Sequence, residues 1–225
     1  MMPTLTRKRS RLELDDDDDV QQPAASSPSL SDTLKRTKTQ SALDDLNIIP
    51  AEEAWRIDNV SSILSSPTLA IASDGSLHAH SALSNYAVGS SIIVFCVQGN
   101  LQLHYDLLCS ALPDLYTLSS SLQALVLCCD PPSHVPSTST SSSLPMIQAV
   151  GPDYNHFVKL GLLHPLGGGK LPLDALVVVD THGRRRLVLP FGWGAGRHAN
   201  TPAGRTVQIC LMNMLRDCVE TLLRE

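Results

Sequence analysis

Three uninterrupted apolar stretches constrain the fold of this chain more than any other feature of its sequence. They are residues 91–97, 123–129 and 173–179. The first is rich in β-branched side chains, and all three lack the polar alternation of a half-exposed strand, which is typical of strands covered on both faces. Because helices must then lie on both sides of the sheet, the sequence predicts an α/β domain.

Helical patterns and a hairpin complete the order of elements. Apolar residues recur at spacings of three and four in three segments, and the predicted helices are 101–118, 153–163 and 204–224. A tight turn over 180–183 predicts a fourth strand, 184–189, paired with the third as a hairpin. We expect the first three strands to be parallel. The arginines at 184–186 are expected to lie at a solvated sheet edge.

The chain also divides into zones of different composition. Residues 1–45 carry runs of opposite charge and few apolar side chains, so nothing offsets the entropy of ordering them and we expect a disordered tail. Residues 46–84 are expected to form a helical linker that docks on the domain, which covers 85–225. A Ser/Thr/Pro-rich stretch predicts a flexible loop over 131–149.

The order strand, helix, strand, helix, strand, strand, helix resembles the thioredoxin fold, a central mixed sheet of four strands flanked by helices. Residues 93–100 (IVFCVQGN) and 176–183 (LVVVDTHG) resemble peroxiredoxin-like proteins of the alkyl hydroperoxide reductase and thiol-specific antioxidant class. The tail and the general character of the sequence are similar to those of filamentous-fungal proteins. The resemblance implies a cis-proline ahead of the third strand, at Pro172. It also implies a reactive cysteine where the first strand gives way to the first helix.

The position that the resemblance assigns to the reactive thiol contains no cysteine. The family carries C-x-x-C or T-x-x-C there, because a helix N-terminus lowers the pKa of a thiol. Here residues 101–104 read Leu-Gln-Leu-His, so His104 lies near the site and Cys109, the nearest thiol, lies two turns into the helix. The resemblance therefore implies a degenerate active site, with Cys109 and His104 as its remaining catalytic candidates.

The other cysteines have structural explanations beside functional ones. Cys96 is expected to be buried in the first strand, and Cys210 and Cys218 to fill the core along the last helix. The adjacent Cys128 and Cys129 point to opposite faces of a strand, yet strand ends near a cleft are where α/β proteins place function. A redox-sensing role for this pair stays open. No His and Cys spacing predicts a metal site, and no cofactor is expected.

Two segments are candidates for binding and targeting. The glycine-rich stretch 191–198 places Trp193, Arg197 and His198 together as a recognition surface, unless Trp193 fills the core. In the tail, a basic cluster reads as a nuclear import signal or as a solubilising run; its residues are Arg7, Lys8, Arg9 and Arg11. Hydroxyl groups at spacings that kinases accept follow the basic residues of the tail. These are Ser10, Thr37, Thr39 and Ser41.

Composition narrows the location and the partner. No stretch is long and apolar enough to span a bilayer and no secretory signal pattern is present, so we expect a cytosolic or nuclear protein with reduced thiols. The net charge of −5 comes from a mixed pattern, without a basic face for nucleic acid. A protein partner is expected. The oligomeric state is not predicted.

The leading hypothesis is a thioredoxin-fold, peroxiredoxin-like protein without the standard redox cysteines, which acts as a non-catalytic binding or regulatory module. One rival is an atypical thiol-dependent peroxidase or oxidoreductase that uses Cys109 or the Cys128/Cys129 pair. The other is a nuclear interaction protein that acts through its charged tail.

Overall fold

The computed structural model describes residues 46–72, 74–99, 102–134, 143–191 and 198–225. Its strands are β1 (Trp55–Arg56), β2 (Thr68–Ile71), β3 (Leu77–His80), β4 (Ile93–Val97), β5 (Gln123–Cys128), β6 (Met146–Gln148), β7 (Val150–Gly151), β8 (Tyr154–Asn155), β9 (Ala175–Val179) and β10 (Arg184–Pro190). Its α-helices are α1 (Val60–Leu64), α2 (Leu103–Leu118), α3 (His156–Lys159) and α4 (Pro202–Leu222). The predicted disordered tail, 1–45, lies outside the described residues.

One mixed sheet has the strand order β1-β10-β9-β4-β5-β6-β2-β3. β4 is parallel to β5 and β5 to β6, whereas β9 is antiparallel to β4 and to β10. The four strands β10-β9-β4-β5, with α2 between β4 and β5 and α4 after β10, have the arrangement of the thioredoxin fold. The predicted α/β, thioredoxin-like class is therefore confirmed. Two details are wrong: within the described ranges the sheet has eight strands rather than four, and β9 is not parallel to β4.

Both faces of the central strands are covered, as their continuous apolar runs predict. Every residue of β4 and of β9 is buried. Val94 of β4 packs with apolar side chains of α2 and α4 on one face, and Phe95 packs with those of α1 and α3 on the other. This alternation follows from the two-residue period of a strand. It places α2 and α4 side by side on one face of the sheet.

The segment 46–84 differs from the predicted helical linker. Its only α-helix among the described residues is α1, which begins after Asn59, whose Oδ1 accepts a hydrogen bond from the backbone N–H of Ser62 at 2.9 Å. β1 pairs with β10, while β2 and β3 extend the other side of the sheet beyond β6. The segment is thus part of the sheet. The predicted loop 131–149 likewise contains a 3₁₀ turn and β6, and its residues 135–142 lie outside the described part of the chain.

Arg186 on β10 is buried rather than at a solvated edge. The side chain is 1% exposed because Ile49, whose backbone N–H donates to the backbone oxygen of Arg186, and Glu225 lie against it. Its guanidinium donates to both carboxylate oxygens of Glu225, at 2.6 and 2.7 Å, and to the backbone oxygen of Ile49 at 2.6 Å. Asp180 completes the cluster at 3.4 Å. The hydrogen bonds offset the desolvation of the charge.

Candidate functional site

His104 occupies the first turn of α2, the position that the thioredoxin-like resemblance marks as the reactive end of the helix. The side chain is 0% exposed, and its Nε2 lies 2.7 Å from the backbone oxygen of Val97 at the end of β4. Because a carbonyl oxygen only accepts, Nε2 carries the proton and donates. Burial lowers the pKa of His104, so the ring is neutral, and it stacks on Phe191 at a centroid distance of 5.5 Å.

The segment that leads into β9 closes on the end of β4. The backbone N–H of Gly99 donates to Oδ1 of Asp174 at 2.7 Å, and a Cβ at Gly99 would lie 3.0 Å from the backbone oxygen of Pro172. Such a close approach leaves little room for any residue larger than glycine. The peptide bond that precedes Pro172 is trans, so the predicted cis-proline is wrong. Protein groups of β4, α2 and this segment therefore fill the space around His104.

Cys109, the catalytic candidate nearest this position, faces the core. The residue is 7% exposed, and burial raises the pKa of its thiol. Tyr105, one turn earlier on α2, hydrogen-bonds the thiol, and its hydroxyl also accepts from the backbone N–H of Leu144 at 3.3 Å. The thiol therefore contributes to packing between α2 and the chain ahead of β6.

The remaining thiols lie elsewhere in the fold, and all six are free. Burial raises the pKa of Cys128 to about 12 and that of Cys218 to about 12, and it raises the pKa of Cys96 as well. Cys129, just after β5, is exposed; partial burial and then the charge of Asp130 raise its pKa. Cys210 is exposed on α4, so its predicted place in the core is wrong.

Among the predicted binding and import residues, His198 alone belongs to the described part of the chain. His198 is exposed just ahead of α4, where its backbone oxygen accepts hydrogen bonds from the N–H and the hydroxyl of Thr201. The remaining binding and import candidates lie outside the described residues; they are Trp193, Arg197, Arg7, Lys8, Arg9 and Arg11. In the described ranges, no three His, Cys, Asp or Glu side chains are grouped to hold a metal ion. No helix in those ranges has the length and apolar character needed to cross a membrane.

A second buried histidine lies on the opposite face of the sheet. Nε2 of His156 is 2.6 Å from the hydroxyl oxygen of Ser66, which also donates to the backbone oxygen of Ser62 at 3.2 Å. The tautomer of His156 decides which of these two atoms donates to the other. This chain of hydrogen bonds fixes the turn after α1. Burial, followed by the charge of Lys159, lowers the pKa of His156 to about 4, so the ring is too weak a base to activate the Ser66 hydroxyl.

The sequence did not predict two depressions that flank α4. The larger, of about 780 Å³, lies between the segment 46–50 and α4; its lining residues are Leu46, Asn47, Ile48, Ile49, Pro50, Glu53, Cys210, Asn213, Met214 and Asp217. The smaller, of about 380 Å³, lies between α2 and α4; its lining residues are Leu107, Arg205, Gln208, Ile209, Met212 and Asn213. Asn213 borders both. The signal in the sequence was Ile209 and Met212, which fall outside the apolar stripe of the last helix.

The chain shares sequence similarity with one fungal protein of known partner. No protein-family model matches the chain. The Uba3-binding protein but1 of the fission yeast Schizosaccharomyces pombe is 35% identical over 99 residues, which are 41% of this chain and 39% of that protein. The chain thus matches only about two fifths of the relative's length.

Solved structures of peroxiredoxins match the chain at low sequence identity and low TM-score. The mitochondrial 2-Cys peroxiredoxin of Plasmodium falciparum is 13% identical with a TM-score of 0.43, over 68% of this chain and 93% of that one. Peroxiredoxin Q of Xanthomonas campestris is 10% identical with a TM-score of 0.40, over 70% of this chain and 95% of that one. The strand order, rather than these low scores, defines the fold as thioredoxin-like.

Proposed function

We propose that this chain is a thioredoxin-fold protein-binding module that performs no thiol chemistry. One observation carries the proposal. The first turn of α2, where redox members of the fold place their thiol, holds the buried and hydrogen-bonded ring of His104.

The chemistry of peroxide reduction explains why this observation matters. A thiolate must attack the peroxide oxygen, and a helix N-terminus or a nearby cation makes that thiolate available at neutral pH. Cys109 lies beyond the first turn of α2, and burial raises its pKa instead of lowering it. Cys129 is exposed, but partial burial and then the charge of Asp130 raise its pKa. Neither environment supports a peroxidatic cysteine.

The name of the fission yeast relative supports a protein as the partner. That relative is described as Uba3-binding, and it is 35% identical to this chain over 99 residues. We infer that this chain binds Uba3 of its own organism, in the cytosol or the nucleus. The partner is part of the proposal because the match covers 39% of the relative.

Calorimetry with purified full-length chain and purified Uba3 tests the binding role. We expect saturable binding, and Cys109→Ser should bind with the same affinity because the thiol lies in the core. Absence of measurable binding at concentrations on the order of 100 μM would remove Uba3 as the partner. A peroxide-consumption assay with thiol donors tests the other half. Turnover that is lost in Cys109→Ser would favour the atypical peroxidase, and loss only in variants of Cys128 or Cys129 would favour that pair.

The rival function through the charged tail makes a different prediction for the same assay. Under our proposal the described domain supplies the binding surface, so deleting residues 1–45 should leave the affinity for Uba3 within about threefold of the full chain. Loss of binding in this deletion would favour the tail, including its basic cluster, as the interacting segment.

A further inference from the structure

We propose that the surface formed by α4 and its two depressions binds an amphipathic helix of the partner, with basic residues at one end of that helix and an acidic residue at the other. The inference deepens the proposed function, since it assumes that the partner is a protein. We call this region the α4 surface; it consists of the residues that line the two depressions.

The position and size of the α4 surface fit a helix laid across it. The depressions of about 780 and 380 Å³ share Asn213 as a lining residue, so they lie next to each other along α4, and we call the pair the trough. Their walls are helices α2 and α4 and the segment 46–50, and the trough contains no described strand edge that could pair with an extended peptide. Apolar side chains spaced by three and four residues on a helix are the usual occupants of such a groove.

The apolar character of the surface is in excess of what folding requires. Leu211 and Leu215 on the inner side of α4 are 1% and 0% exposed and pack in the core. Ile209, on the outer side, is 61% exposed, and Met212 and Met214 are only partly buried. A surface helix normally carries polar side chains on its outer side. Methionines and an exposed isoleucine beside a groove are typical of a protein-binding surface.

The charges at the two ends of the trough select the occupant. Glu53 and Asp217 border the larger depression, and neither has an ion-pair partner among the described residues. Arg205 borders the smaller one and likewise has no described ion pair. Twelve positions separate Arg205 from Asp217, which is about 18 Å along α4. A partner helix of about three turns, with lysine or arginine at one end, therefore matches both charges.

A footprint on two exposed cysteines of the wild-type chain tests the location. Cys210 lines the larger depression, whereas Cys129 is exposed beyond β5 and outside both depressions. Alkylation with iodoacetamide, followed by mass spectrometry, gives the rate at each thiol with and without Uba3. We expect bound Uba3 to slow the reaction of Cys210 at least about fivefold and to leave Cys129 unchanged. Uba3 binding with equal rates at Cys210 would overturn the α4 surface while the proposed function stands.

A synthetic probe tests the occupant without Uba3. The probe is an 18-residue amphipathic helix with a leucine face, in which lysines and a glutamate are placed about twelve positions apart, about 18 Å along the helix. Its control replaces the lysines with glutamates. Fluorescence anisotropy with the full chain should show binding of the basic probe at least about tenfold tighter than that of the control. Equal binding of the two probes, or no binding, would overturn the inference. Binding of the basic probe by a chain that does not bind Uba3 would keep the surface and refute the partner.

A matched pair of substitutions completes the design. Ile209→Asp should weaken the basic probe at least about tenfold, because it places a charge in the trough. Val158→Asp on α3, where the native side chain is 54% exposed, should leave the affinity unchanged. Both variants should keep the wild-type melting temperature because both sites are exposed. Slower alkylation of Cys210 at high concentrations of the chain alone would identify a second copy as the occupant and contradict the proposal.

Discussion

His156 makes the folded state sensitive to acid. The side chain is 1% exposed, and burial, followed by the charge of Lys159, lowers its pKa to about 4. In the unfolded chain a histidine has a pKa of about 6.5. As the pH falls, the unfolded chain therefore takes up the proton first. The contribution to stability is complete above pH 6.5 and is lost progressively toward pH 4.

The size of this loss follows from the two pKa values. Integrating proton uptake from about pH 7.5 to pH 5 gives a decrease of about 2 kcal/mol in the free energy of unfolding from His156 alone. His156→Gln does not titrate, and its amide can still donate to the hydroxyl of Ser66. The pKa of Asp180 is lowered from its ordinary value of 3.8, so its contribution to stability changes only below about pH 3.8, outside this interval. The pKa of His104 is also lowered, so His104 destabilises the folded chain in acid as well. This loss occurs equally in wild type and in His156→Gln.

Urea unfolding at several pH values between about 7.5 and 5 provides the measurement. We expect wild type to lose about 2 kcal/mol more than His156→Gln over this interval. Parallel stability curves for the two proteins would refute the reasoning, because they would mean that His156 is protonated in the folded state or accessible to water.

Three further substitutions test the fold in thermal or urea unfolding. Arg186→Met should destabilise by about 3 kcal/mol because it removes a buried cation from its carboxylates, whereas Arg216→Met at an exposed ion pair should cost less than about 1 kcal/mol; equal losses would contradict the buried cluster. Thr201→Ala should cost about 1 kcal/mol because the Thr201 hydroxyl caps α4 through the N–H of Gly204, and Thr206→Ala within the helix should cost less. Gly183→Ala should cost about 1–2 kcal/mol because Gly183 has a φ of 74°, and an unchanged midpoint would show that the turn adapts.

The central strands were predictable because burial on both faces requires a continuous apolar run. Such a run can be identified without knowing which strands lie next to it. The run 93–97 is apolar at every position, is too short for a typical helix and contains three β-branched side chains, which together favour a buried strand. The direction of β9 was not predictable, because an apolar run does not show whether a strand is parallel or antiparallel to its neighbours. β2 and β3 were missed because they are four residues long and only partly buried. Val60, Ile63 and Leu64 have helical spacing and form α1, but the helix begins only after its cap, Asn59, and is five residues long.

The absence of a cysteine near the start of α2 is visible in the sequence, but the contacts that surround His104 are not. The sequence alone places His104 rather than cysteine near the start of α2, but the hydrogen bond to Val97 and the stacking on Phe191 depend on tertiary contacts. Cys210 falls on the apolar stripe of α4 and is nevertheless exposed, because the depression beside the segment 46–50 leaves that position uncovered. The depressions arise between elements that are distant in the chain, so no local pattern reveals them.

The rate at which hydrogen peroxide oxidises each cysteine tests the central claim most directly. The full chain is treated with equimolar peroxide, folded and in urea, and each thiol is quantified by mass spectrometry. The account predicts that no cysteine reacts faster in the folded chain than in the unfolded one, and that Cys109 reacts more slowly because burial raises its pKa. Oxidation of any one cysteine at least about a hundredfold faster in the folded chain would show an activated thiolate and contradict the account.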